Sequence, residues 1–316
     1  MTKTYFEILR PGINTTYQDV GRNYLYHIGI PFSGAMDKRN LLISNKLVGN
    51  KQTSPVIEFA LQGPLLRLNN SRANFVITGD VNFNIIRKNS IIEKGNCYQS
   101  YVLEDGDQLD IISTNRSVYG YLSIQGGYKI DSFWNSYSVN TKAKIGPNNG
   151  EKFSNNQKIF LNDIKESFHK KKINYLNSKI EFIRVIKGTN YDYFSDEAKK
   201  IFLSEEFKVS KLSDRMGMRL EGGKLENIID TNIRSEGLIK GVIQVPADGN
   251  PIVMLSDHGT IGGYPKIAVV ISADYDKIVQ LPPGTKVKFK LIDLKEAENL
   301  YKLYKLETEN ILNKIQ

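Results

Sequence analysis

Between Ser235 and Asp274 the chain reads SEGLIKGVIQVPADGNPIVMLSDHGTIGGYPKIAVVISAD, and its chemically able side chains crowd into turns. Gln244, Asp248, Asp257, His258, Thr260, Tyr264 and Lys266 all fall there, with Glu236 just upstream. Lys266 offers a positive charge, and Gly262-Gly263 can turn backbone N–H groups toward an anion. Gln244 can both donate to and accept from an amide or ureido group. Asp257 can orient a donor or act as a base, although a turn cap is the competing reading. For His258, a lone histidine beside glycine, a satisfied loop residue weighs more than a catalytic one. The candidate catalytic set is Asp257, Lys266 and Gln244. Thr260, Gly262, Gly263, Tyr264 and Glu236 are candidates for holding substrate.

Apolar runs at Leu238–Val245, Ile252–Leu255 and Ile267–Ile271 read as the strands that carry these turns. Rigid strands presenting polar loops are how small-molecule sites are commonly built. A second polar concentration lies near the start, in TTYQDVGR (15–22) and the stretch from His27 to Arg39. There Asp19, Ser33 and Asp37 read equally as caps or as site residues. Ser33 and Asp37 complete the candidate substrate contacts.

The two concentrations belong to a long-period repeat. Phe6 and Gly12 are followed by Asn14, as Phe182 and Gly188 are by Asn190. Ser33, Met36 and Arg39 share their spacing with Ser213, Met216 and Arg219. Gly106 follows Glu58 by 48 residues, and Gly284 follows Glu236 by 48. This outlines two related units, about 5–115 and 181–293, within domains of 1–170 and 171–316. Each reads as mostly β, with strands ending at turn signals every 8–12 residues or so. One helix per unit is expected, the first over Lys38–Val48, capped by Asp37 and stopped by Gly49. A tail helix over about Asp293–Lys314 carries Ala297, Leu300, Tyr304 and Ile311 on one stripe. Lys165–Ser178, charged and Asn-rich, marks the boundary. Shifting by 178 positions lays Leu66 on Gln244, Gly79 on Asp257, Asn82 on Thr260 and Ile86 on Tyr264, while Lys88 falls on Lys266, so the polar cluster is largely a property of the second copy.

Composition removes other classes. The net charge of +9 suggests a polyanion partner, but the lysines are scattered and the dense run is Lys170–Lys172 beside His169. No basic, aromatic-laced stripe is present, which argues against nucleic acid. Cys97 is alone, so an internal disulfide and a thiol-rich metal site are excluded, and His27, His169 and His258 lack zinc spacing. No apolar run approaches the roughly 20 residues of a membrane span, and MTKTYFEILRPG is not signal-like. The expectation is a cytoplasmic protein with no metal of its own. No Walker phosphate loop, dinucleotide fingerprint or nucleophile elbow occurs, and no biotinyl-lysine motif, so biotin is not attached to this chain.

TTYQDVGR, GIPFSGAMD, LSDRMGMRLEG and the long 235–274 run together resemble the biotin-dependent carboxyltransferase-like family, over about residues 5–293. The resemblance implies a mainly β fold of two tandem, related, cyclophilin-like β-barrel units with a few helices and a C-terminal helix. It implies similarity to the A and B portions of the carboxyltransferase domain of urea carboxylase. It also implies a share in ATP-dependent opening of 5-oxo-L-proline to L-glutamate, as the C-type component of a 5-oxoprolinase that is inactive alone. ATP, with magnesium, would be shared with a B-type (KipI-like) partner, and an A-type partner would complete hydrolysis. Two other roles remain open: carboxyl transfer from biotin on a partner in urea or amide metabolism, and non-enzymatic, KipA-type regulation by binding a kinase-inhibiting homologue of the B-type partner. The chain departs from the family at Ser136-Tyr137-Ser138-Val139, where an Arg is usual at Tyr137, and at Met218, where a tyrosine is usual.

Overall fold

Local sequence dictates structure most directly at Asp37. Its carboxylate accepts the Asn40 N–H at 3.0 Å, and α1 (Lys38–Val48) follows. Gly49, at φ +78°, ends it by donating to the Asn45 and Lys46 carbonyls. Such a cap contributes about 1 kcal/mol. Its buried residues include Leu41, Ile43, Asn45, Leu47 and Val48.

The computed structural model describes residues 3–163, 170–175, 181–229 and 232–315, so His169 and most of Lys165–Ser178 lie outside the described residues. Among the described residues the chain is mainly β with four α-helices. It divides into two compact units: residues 1–22, 33–176 and 308–316, and residues 23–32 and 177–307.

The first unit holds two antiparallel sheets. One runs Lys158–Phe160, Tyr5–Arg10, Leu65–Asn69, Gln108–Thr114, Val81–Ile86, Ile92–Lys94; the other runs Thr16–Gln18, Val56–Ala60, Tyr119–Ile124, Ala73–Thr78, Ser100–Leu103. Chain-neighbouring strands cross from sheet to sheet at tight corners such as Gly79-Asp80. Period-two alternation sends Phe6, Ile8, Leu66, Leu68, Phe83, Ile85, Leu109 and Ile111 inward to meet Ile57, Phe59, Phe75, Ile77 and Leu122. Each such side chain gains about 1.5–3 kcal/mol on burial. Ala73–Thr78 and Tyr119–Ile124 are buried on both faces because α1 covers their outer side.

The second unit carries a sheet ordered Lys286–Val287, Phe207–Val209, Gly217–Glu221, Ile252–Met254, Val242–Gln244, Lys266–Val270, Ile183–Lys187, Phe289–Leu291. Its two end members are separated along the chain by Lys288 alone, so one bent segment brings the sheet round into a near-closed barrel. α2 (Asp196–Ser204), capped by Ser195, seats Phe202 against Phe207 and Phe289, stacked on the latter at 4.7 Å. α3 (Ser272–Ile278) is anchored by Asp274, whose buried carboxylate takes Arg184 Nε and Nη2 at 2.7 and 2.6 Å. α4 (Leu294–Asn313) places Ala297, Leu300 and Tyr304 on an apolar cluster with Ile271 and Ile292. The chain's last residues, with Leu312 and Ile315, belong to the first unit.

Three sequence-based expectations differ from the structure. Leu238–Val245 is not one strand: the chain turns at Gly241 (φ +85°), whose N–H donates to Met254 O. The shared Ser-x-x-Met-x-x-Arg spacing is not shared structure either. Ser33–Arg39 leads into α1, whereas Arg219 sits in strand Gly217–Glu221, held by pairing with Ile252–Met254. The second unit also contains two helices, α2 and α3, before the chain enters α4.

Candidate functional site

Lys266 opens the strand Lys266–Val270 and is buried, yet its ammonium must find a partner because an isolated charge in the interior is costly. It donates to Glu236 Oε2 at 2.7 Å; the lysine side chain is 4% exposed and the glutamate 45%. Glu236 reaches that position from a two-residue antiparallel pairing between distant segments, Glu236 with Gly262 and Gly237 with Ile261. Gln244 lies opposite Lys266 in the adjoining strand, and its Nε2 donates to Tyr264 O at 3.1 Å. Gly262 presses on this amide so closely that a Cβ would stand 2.8 Å from Gln244 Nε2 and 2.7 Å from Leu238 Cδ1. Lys266, Glu236, Gln244, Gly262 and Tyr264 are therefore brought together from three chain segments by strand pairing. Tyr264 is 40% exposed, and the half-exposed Glu236 carboxylate gives the cluster its face to solvent.

Thr260 and Gly263 flank the short strand Ile261–Gly262 and tie it down through their backbones. Thr260 O accepts the Leu238 N–H at 2.9 Å, and Gly263 O accepts that of Ile233 at 2.9 Å. Asp248 lies apart, closing its own exposed turn with Asn250. Those Asn250 hydrogen bonds hold its carboxyl below the usual range.

Asp257 stands elsewhere. The strand that begins at Ile252, opposite Gln244, carries the chain through Met254 and on to Asp257 beyond its other end. There both carboxylate oxygens accept from Arg215, Nε to Oδ2 at 2.8 Å and Nη2 to Oδ1 at 3.1 Å, with both side chains buried. The register does not bring Asp257 to Lys266. Arg215 is the partner that sequence reasoning passed over. It lies 42 positions away in LSDRMG, where only its charge beside Asp214 gave a signal.

His258 is also buried, 1% exposed. Its Nδ1 stands 2.6 Å from Gly259 O, which can only accept, so Nδ1 carries the proton and Nε2 accepts from the Tyr26 hydroxyl at 2.8 Å. Burial lowers the imidazole pKa below 6.5 and pushes Tyr26 up to about 12. Beside them Lys240 lies over the Phe32 ring at 4.6 Å and the Tyr275 ring at 5.7 Å.

Ser33 and Asp37 are in the first unit. Ser33, at φ +55° and fully buried, accepts from Asn140 Nδ2 at 3.3 Å. Asp37 caps α1 and its own N–H donates to the buried Tyr121 hydroxyl at 2.7 Å. The first unit's polar centre is Asp19, which accepts from the Ser136 and Ser138 hydroxyls and the Gly21 and Tyr137 N–H groups at 2.6–2.8 Å. The residue that departs from the family, Tyr137, contributes here through its backbone, which any residue but proline supplies.

An ammonium, a half-exposed carboxylate, a carboxamide and a tyrosine face suit recognition of a small amide bearing a negative charge. Among the described residues no group of three or more His, Cys, Asp or Glu side chains is placed to hold a metal. Nor is any helix among them long and apolar enough to cross a membrane.

Residues 28–291 match the carboxyltransferase domain family, subdomains A and B. The chain is 32% identical over 303 residues to the C subunit of the Haemophilus influenzae 5-oxoprolinase, covering 93% of each. It is 28% identical over 319 residues to the urea amidolyase of Saccharomyces cerevisiae, covering 94% of this chain and 17% of that protein. Among solved structures, the K. lactis urea amidolyase superposes with a TM-score of 0.87 at 26% identity, over 98% of this chain and 20% of that one.

Proposed function

The chain belongs to the carboxyltransferase domain family, subdomains A and B, and from that premise we propose that it is the C-type component of an ATP-dependent 5-oxoprolinase, working with a B-type partner. The observation that carries this reading is the clustering of Lys266, Glu236 and Gln244 beside the Tyr264 backbone in a chain similar over 93% of its length to the C subunit of a 5-oxoprolinase.

A five-membered lactam resists water because its carbonyl is stabilised by the ring nitrogen. Phosphorylating the amide oxygen removes that obstacle. The oxygen attacks the γ-phosphorus of ATP and ADP departs. Water then adds to the activated carbon, and the ring C–N bond breaks with a proton going to nitrogen. A second water releases phosphate from the acyl phosphate that remains. One ATP and two waters thus give L-glutamate, ADP and phosphate. Within this scheme Lys266 places positive charge beside the oxygen on which charge changes, and Glu236 holds the ammonium in place. Gln244 hydrogen-bonds the lactam amide, and the Tyr264 ring lies against the substrate. Thr260, Gly262 and Gly263 shape the turn around it. Asp257, with both oxygens engaged by Arg215, orders its loop and orients neighbouring donors. ATP and magnesium, which neutralises phosphate charge when bound, are shared with the partner.

The test mixes the chain with candidate B-type and A-type partner proteins and follows ADP and glutamate. Both should appear with 5-oxo-L-proline when all proteins are present, and neither with this chain alone. No turnover from the complete mixture would overturn the assignment.

The similarity to urea amidolyases supports a second reading, carboxyl transfer from biotin on a partner. It predicts carboxylation of a urea-like amide by the chain with a biotinylated carrier, and no glutamate.

A further inference from the structure

We propose that Asn190 is the positioning residue for Lys266, setting the strand register that delivers the ammonium to Glu236. This rests on the reading that Lys266 acts in the reaction. The ladder between Val242–Gln244 and Lys266–Val270 is irregular at the critical place. Val242 pairs with Val269 and Ile243 with Ala268, but Gln244 pairs with Lys266, leaving Ile267 as an extra residue. A bulge of this kind re-aims the side chains beside it. Without it, Ile267 would stand opposite Gln244, and Lys266 would fall one step further along, on the other face of the sheet. The bulged register therefore decides whether the amine reaches the site at all.

What holds that register is the loop after strand Ile183–Lys187. Asn190, itself buried, takes the Lys266 N–H on Oδ1 at 3.1 Å and gives its own N–H to the Lys266 carbonyl at 3.2 Å. The Gly188 N–H donates to Ile267 O at 3.0 Å, engaging the extra residue directly. Gly188 is also essential for clearance, since a Cβ there would meet the Lys266 carbonyl oxygen at 2.2 Å. Both hydrogen-bonding groups of the Lys266 backbone thus end on one residue, on the edge of the strand opposite the bulged ladder. Asn14, which holds the corresponding place in the repeat, is exposed at φ +48°. The Gly-x-Asn spacing alone therefore does not create the clamp.

The experiment compares Asn190→Ala, Asn190→Asp and Lys266→Met in the reconstituted complex, with turnover normalised to folded protein. Misplacing a reacting group by about 1 Å costs on the order of 100-fold, so N190A should lower kcat by that order while KM changes far less. N190D keeps an acceptor oxygen and should recover most of the rate. Amide hydrogen exchange at Lys266 should quicken in N190A and not in N190D. If N190A turns over as wild type while K266M is inactive, the assignment of Asn190 falls and the role of Lys266 stands. If K266M itself turns over as wild type, the reading beneath both is overturned.

Discussion

Lys266 and Glu236 form an unequal ion pair: the ammonium is almost wholly enclosed, while the carboxylate 2.7 Å away stands nearly half in solvent. The buried partner depends on the exposed one. In the proposed reaction, displacing Glu236 would expose a cation already desolvated to the substrate's negative charge, where the attraction is stronger than in water.

Removing that carboxylate should be felt in both stability and activity. Glu236→Ala should destabilise by more than the ~1 kcal/mol of an exposed pair and by less than the ~3 kcal/mol or more of a fully buried one. Urea unfolding measures the first, and turnover in the complex should fall with it. A variant as stable as wild type would mean that water, not Glu236, satisfies Lys266.

Gly262→Ala tests the packing around Gln244. The new methyl would stand 2.7–2.8 Å from Leu238 Cδ1 and the Gln244 amide, so both must move. Overpacking of this kind costs about 1–3 kcal/mol. The prediction is a variant that folds, melts at a lower temperature, and has a raised KM because Gln244 no longer bonds Tyr264 O.

Asp257→Ala should be more damaging than Asp257→Asn. The first takes the carboxylate from a buried guanidinium, a loss of about 3–5 kcal/mol. The second keeps an oxygen for Arg215. If Asp257 orders its loop rather than moving a proton, turnover of D257N per folded molecule should stay near wild type. A D257N variant that is fully folded and inactive would instead mark Asp257 as the base.

Two groups give separate pH signatures from one rule. His258 has its pKa lowered below 6.5 by burial, so below that pH the unfolded chain binds a proton first. Its contribution is intact above 6.5 and is lost as pH falls toward the folded value. Asp274 would be raised by burial, but the hydrogen bonds and charge of Arg184, with Lys277, hold it below 3.8. That contribution is present above 3.8 and disappears as pH falls through the folded value. Stability curves should therefore show a first decline below pH 6.5 that His258→Gln removes, and a second below 3.8 that Asp274→Asn removes.

What was legible beforehand divides along physical lines. α1 was readable from its cap and its stop, Asp37 and Gly49, and α4 from its apolar stripe. The strand content was readable from turn signals and alternation. The closing of the second sheet was not, because it depends on segments of two and three residues, Lys286–Val287 and Phe289–Leu291, too short to show a period. Leu238–Val245 looked like one strand because every residue but Lys240 and Gln244 is apolar or glycine, and the backbone turn at Gly241 leaves no hydrophobic trace. The polar residues of the candidate site were visible one by one, but their grouping was not. Lys266 with Glu236 spans 30 positions and Asp257 with Arg215 spans 42, and register alone separates the two pairs. The bulge at Ile267 was invisible for the same reason.

In the proposed lactam-opening complex, Lys266 carries the reaction. The most direct measurement is glutamate release from 5-oxo-L-proline and ATP by the reconstituted complex containing wild type or Lys266→Met, with complex formation verified for each. The account predicts ADP and glutamate from the wild type and a loss of at least about 100-fold in K266M with the complex intact. Equal glutamate release from both would contradict it.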